Sequence, residues 1–281
     1  MKYLPLVGSA LLSSAALLLA SLLGTAAVAL VACGVCVLIA WGWPQLMGVT
    51  ARTSLSVVIL IAGVVAVLGA SLVERASALF FWSTVALAFG VMVVFVIQVL
   101  RGTGRPQRLE STLGASTGVV ISTTAAGWVA GYRYPLELTG VEDDEDDTRV
   151  ITVRGLLPTE GDGFLGVSGQ GETLSIIGLG ALLLLVVVLI ASLPARDRVV
   201  FPLVIVGGVV AGVAAGFVWG QATILFCAIL GAGAGVLVGA FRRFLILQGA
   251  PAGVRARTAV GAAPVAALGA VIYFAERLLI G

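Results

Sequence analysis

Nine stretches of the sequence, each 18 to 23 residues long, contain no charged side chain: residues 4–23, 25–42, 54–73, 78–100, 113–131, 174–193, 199–219, 222–240 and 258–275. About 20 apolar residues in a helix span the hydrocarbon core of a bilayer. Inside hydrocarbon every backbone N–H and C=O must find a partner within the protein, which restricts such segments to helices or closed barrels. Runs of this length read as helices. The expected fold is therefore all-α, a polytopic transmembrane helical bundle of about nine spans with one small extramembrane loop region. The chain divides into an N-terminal membrane region of five spans (1–131), an acidic extracytoplasmic loop (132–172) and a C-terminal membrane region of four spans (173–281).

The rest of the chain agrees. Of 281 residues, 60% are hydrophobic and 11% charged, with a mean hydropathy of +1.15; soluble domains carry roughly 25% charged residues. Lys2 is the single lysine against fifteen arginines, and asparagine is absent. That bias suggests a GC-rich bacterial genome, and so a bacterial plasma membrane. Met1-Lys2 ahead of the first run resembles the start of a signal peptide, but the run is long enough to span and is read as a crossing. Trp43-Pro44 is expected to end the second span, since proline cannot continue a helix. Pro264 is expected to kink the ninth unless neighbours compensate.

The span 113–131 is the least apolar, because Ser116, Thr117, Ser122, Thr123 and Thr124 fall within it. The positive-inside rule decides for it. With the N-terminus cytoplasmic and nine spans, the inner side holds Lys2, Arg52, Arg101, Arg105, Arg108, Arg196, Arg198, Arg242, Arg243, Arg255 and Arg257. The outer side holds Arg75, Arg133, Arg149, Arg154 and Arg277, so the ratio is eleven to five. Removing the fifth crossing reverses everything after it and leaves nine against seven. Trp41 and Trp43 then fall at inner span ends. Trp82, Trp128, Trp219 and Tyr273, with Tyr132 and Tyr134, fall at outer ones, as an interfacial aromatic belt would. The C-terminal Glu276 and Arg277 face outward.

Gly208, Gly212, Gly216 and Gly220 recur every fourth residue through the seventh span, and Gly231, Gly235 and Gly239 do so in the eighth. Residues four apart share a helix face, and a face of glycines lets two backbones approach. With Gln221 at the turn, these helices are expected to form a tight antiparallel hairpin. The hydroxyls Ser116, Thr117, Thr123 and Thr124 lie on neighbouring stripes of one face, which makes them candidates to line a solute pathway or to bond between helices. Cys33-Gly34-Val35-Cys36 is a C-x-x-C within an apolar run, where thiols act as small hydrophobes. Cys227 is placed likewise. Phe241-Arg242-Arg243-Phe244 reads as an interfacial anchor able to meet anionic lipid head groups. The acidic run at 142–147 reads as a solvated loop, and residues 149–153 alternate like a short strand.

No histidine is present, which removes Ser–His and Cys–His catalysis. Phosphate-binding loops and H-E-x-x-H are missing too, so no enzymatic activity, cofactor or metal is expected. The net charge of +2 gives no nucleic-acid signal. No ionisable group lies mid-span, which speaks against a proton-coupled pump. The expected function is a permease-like carrier or binder of a small neutral or lipidic solute. The alternative is a non-catalytic structural or accessory component of a cell-envelope complex. The expected partners are membrane lipids, with a homo-oligomer or envelope protein as further possibilities.

Overall fold

A computed structural model describes residues 4–48, 52–73, 78–100, 108–138, 175–219, 224–248 and 253–279. The acidic run, the expected strand at 149–153 and Gly220 lie outside them. The described residues hold ten α-helices and no strand: α1 (Leu4–Ser21), α2 (Thr25–Leu46), α3 (Arg52–Leu72), α4 (Phe81–Leu100), α5 (Arg108–Thr124), α6 (Ala126–Leu138), α7 (Ile176–Ala191), α8 (Asp197–Trp219), α9 (Ile224–Gln248) and α10 (Val254–Leu279). Seven helices are long and apolar enough to cross a membrane, with α5 and α6 counted as one crossing, Leu109–Tyr134. Pro5–Ser21 and Ile176–Ala191 are shorter apolar helices. The chain is a multi-pass helical bundle.

Its local features follow from the residues. The α1–α2 turn is made at Gly24, whose φ of 106° suits glycine. Ser175 caps α7 by accepting a hydrogen bond from the Gly178 amide at 3.2 Å, supplying one of the partners that a helix start lacks. The expected end of α2 at Trp43-Pro44 is two residues early. Pro44 is tolerated inside its last turn, and the helix runs to Leu46, with the Met47 amide bonded to the Trp43 carbonyl at 3.1 Å. The loop expected from Tyr132 begins later, because α6 continues through Leu138.

The fifth candidate span, α5 with α6, runs the length of the bundle. At one end Gly114 lies against Met47 and Gly118 against the Trp43 indole; at the other, the Arg133 guanidinium donates to the Ala70 carbonyl at 2.8 Å. This crossing and α10 are the most enclosed of the spans, whereas α4 and α8 are the most peripheral. Its low hydropathy now has a physical cause. A helix surrounded by protein need not be as apolar as lipid, and its hydroxyls can bond to protein groups.

The glycine ladder lies at the α8–α9 contact. A Cβ on Gly208 would strike the Gly231 carbonyl, and one on Gly231 the Gly208 carbonyl. Gly212 faces the Cys227 carbonyl, Gly216 lies against Ile224 and Cys227, Gly235 against Val204 and Ile205, and Gly239 against the Phe201 ring. The two backbones are in direct contact over several turns.

Several aromatic residues are not where a belt would put them. Trp41 is 51% exposed and Trp82 is partly exposed. Trp43, Trp128, Tyr134 and Tyr273 are buried instead. Trp43 donates to the Gly114 carbonyl at 2.9 Å, and Trp128 to the Val265 carbonyl at 2.7 Å. These indoles tie helices together across the bundle, with the N–H satisfied as a buried indole requires.

Candidate functional site

The four hydroxyls singled out from the sequence do not gather around a common space. Thr117 is exposed and donates to the Leu113 carbonyl at 2.8 Å. Thr123 is buried and bonds to Val119 at 3.0 Å, and Thr124 bonds to Ile121 at 2.6 Å. Each is spent on its own helix. The Ser116 hydroxyl is buried with no partner. The cleft described below touches none of the four.

These residues lead instead to a break in the crossing at Ala125, between α5 and α6. The Ala125 amide turns back to the Ser122 carbonyl at 3.3 Å, and the Trp128 amide to the Ala125 carbonyl at 3.2 Å. Neighbouring helices satisfy the carbonyls at the break. Ser83 on α4 donates to the Thr123 carbonyl at 2.9 Å, and the Cys36 thiol on α2 to the Ser122 carbonyl at 3.4 Å. A broken helix at membrane depth is sustained in this way. Cys33, Cys36 and Cys227 are all free thiols.

The better formed site lies at the other sequence-flagged group, Phe241-Arg242-Arg243-Phe244. A cleft of about 470 Å³ opens between α1, α7, α9 and α10 at the end of the bundle that carries the start of α1. Leu6, Val7 and Ala10 line it from α1, Val188 and Ala191 from α7, Phe241 and Leu245 from α9, and Val260 and Pro264 from α10. Arg242 and Arg257 are its charged members. The walls suit an apolar chain and the two guanidiniums an anionic group.

Sequence dictates this arrangement helix by helix. Arg257 precedes Val260, Gly261 and Pro264 by three, four and seven positions, so all four share a stripe of α10. Arg242 is one turn from Val238 and Leu245 on α9. Gly261 brings α10 close to α1, since a Cβ there would meet Ser9 and the Leu6 carbonyl. Ser9 in turn donates to the Thr258 carbonyl at 3.1 Å.

Arg242 also holds the floor of the cleft in shape. It donates to the Ala191 carbonyl and to the Ala195 carbonyl at 3.1 Å, closing the α7–α8 turn. Asp197, at the start of α8, lies 3.5 Å from its Nε and 3.8 Å from Arg243. Arg243 lies over the Phe201 ring at 5.3 Å, and Arg255 over Trp41 at 4.9 Å. At this end of the bundle the described arginines Arg196, Arg198, Arg242, Arg243, Arg255 and Arg257 outnumber the described acids Glu110 and Asp197. Replacing Arg242 with methionine is expected to loosen the turn. Hydrogen bonds to a charged group are worth about 1.5–3 kcal/mol, so thermal unfolding in detergent should report a loss of that order.

One buried ionisable group was missed. Glu276 is not turned to the aqueous face but is 0% exposed, and neither of its carboxylate oxygens has a hydrogen-bond partner. A signal existed. Glu276 follows Gly269, Ile272 and Tyr273 by seven, four and three positions, so it lies on the inward stripe of α10. No family model, curated protein or solved structure matches this chain.

Proposed function

We propose that this protein is a non-enzymatic membrane protein that binds, and in permease-like fashion carries, a lipidic solute with an anionic head group. The carrying observation is the cleft between α1, α7, α9 and α10, with apolar walls and the Arg242 and Arg257 guanidiniums. Its size falls within the range of small-molecule sites, which are mostly apolar with a few placed polar groups. The basic end that surrounds it favours a negative head group. In this reading that end faces the cytoplasm of a bacterial cell.

The test compares phosphatidylglycerol with phosphatidylcholine bound to the purified protein, read by native mass spectrometry. Phosphatidylglycerol should be retained preferentially. Ala191→Phe, which fills the cleft but keeps the backbone carbonyl that Arg242 uses, should abolish the preference. Arg257→Gln should weaken it about tenfold, the equivalent of 1.4 kcal/mol. Retention by Ala191→Phe equal to wild type would reject the site.

A second reading is a non-catalytic structural or accessory component of an envelope complex. It is favoured by the Thr117, Thr123 and Thr124 hydroxyls, which are spent on their own helices. Movement of a fluorescent phosphatidylglycerol across proteoliposomes supports carriage. Retention without movement, together with a stoichiometric partner or a homo-oligomer recovered from native membranes, supports the second reading.

A further inference from the structure

Glu276 lies in the last turns of α10, within the span Val254–Leu278, at the opposite end of that helix from the cleft. A Cβ on Gly131 of α6 would lie 2.8 Å from its Oε2 and 3.0 Å from Cδ1 of Ile177 of α7, so the carboxylate sits where α6 leaves room and α7 closes over it. Charged and titratable groups nearby have other engagements. On α10, Arg277 donates to the Tyr273 hydroxyl at 3.2 Å, and Tyr273 stacks on Phe80 at 5.1 Å. On α6, Tyr134 meets Tyr273 edge-on at 6.1 Å and Arg133 donates to the Ala70 carbonyl. From α7 the neighbour is Ile177.

An ionised carboxylate enclosed without a partner is costly. A metal ion would need several oxygen ligands, and no group of three or more His, Cys, Asp or Glu exists among the described residues. A proton needs one oxygen. We propose that Glu276 is a proton-binding site, which releases its proton to water at the end of the bundle when the α6–α7–α10 contact opens and takes one up when it closes. The exit is short, since Arg277 and Leu278 beside it are exposed. Intramembrane carboxyls of this kind mark proton-linked steps in membrane proteins. The inference stands on the α6–α7–α10 contact and does not require the cleft to hold lipid.

Infrared difference spectroscopy of the full-length protein in phosphatidylcholine vesicles, stepped in pH, tests it. The wild type should show a carbonyl stretch of an un-ionised carboxylic acid that is lost reversibly as pH rises. Glu276→Gln should lack the band, and Glu276→Asp should move it in frequency, which keeps the assignment open to test if the glutamine variant does not fold. Absence of any Glu276-dependent acid band overturns the proposal. So does a band that stays unchanged across every pH at which the protein remains folded, because a permanently neutral side chain exchanges no proton.

Discussion

Gly231→Leu should abolish the native pairing of α8 with α9. The Cβ direction of Gly231 ends on the Gly208 carbonyl, and that of Gly208 on the Gly231 carbonyl. Neither backbone can retreat without giving up the contact along the whole ladder. Overpacking a core with extra methylenes costs roughly 1–3 kcal/mol, and here the obstacle is main chain, not a side chain that can change rotamer. A loss at or above the top of that range is expected in detergent-titrated unfolding followed by circular dichroism. Gly233 supplies the control on the same helix. Its Cβ would meet Val271 Cγ1 at 3.6 Å, ordinary contact, so Gly233→Ala should stay within about 0.5 kcal/mol of wild type. Equal behaviour of the two variants would mean that the ladder is not a contact surface.

Trp128→Ala should be the other severe change. The indole is fully buried and lies where α6 crosses α10. Gly127 there faces the Gly269 backbone, and Gly269 faces the Trp128 ring. Truncating a buried tryptophan costs about 3–5 kcal/mol. Trp128→Phe keeps most of the ring and forfeits the bond to the Val265 carbonyl, a net loss of about 0.5–1.5 kcal/mol for a typical hydrogen bond. The graded pair separates volume from hydrogen bonding in one unfolding series. If alanine and phenylalanine were equally mild, Trp128 would be a peripheral belt residue after all.

Which parts of the molecule could be read in advance depends on whether the signal was local. Span existence was local. Long uncharged runs in one dimension become helices because nothing else satisfies the backbone in hydrocarbon. The glycine ladder was local too, since a four-residue repeat fixes one face. The fifth crossing was legible only through the charges on either side of it, and its enclosure by other helices was not. Hydropathy reports what a segment touches, and Thr123 touches protein. The tryptophans were ambiguous for the same reason. Trp43 and Trp128 stand near span ends whether they face lipid or a neighbouring helix, and only the positions of Gly114 and Val265 decide it. The cleft draws residues from four helices distant in sequence, so its arginine anchor was visible at Arg242 but its volume was not. Glu276 was readable from helical spacing, yet its place near the end of a span made an aqueous setting the simpler expectation.

The enclosed polar crossing carries a consequence for biogenesis. A segment as rich in hydroxyls as α5, interrupted at Ala125, gains little from entering lipid by itself. Its carbonyls at the break are satisfied by Ser83 and Cys36, both made earlier on the ribosome, whereas the Val265 carbonyl that receives Trp128 is made long afterwards. During synthesis the fifth segment is therefore expected to wait beside the first four helices with one side uncovered until α10 arrives to cover it.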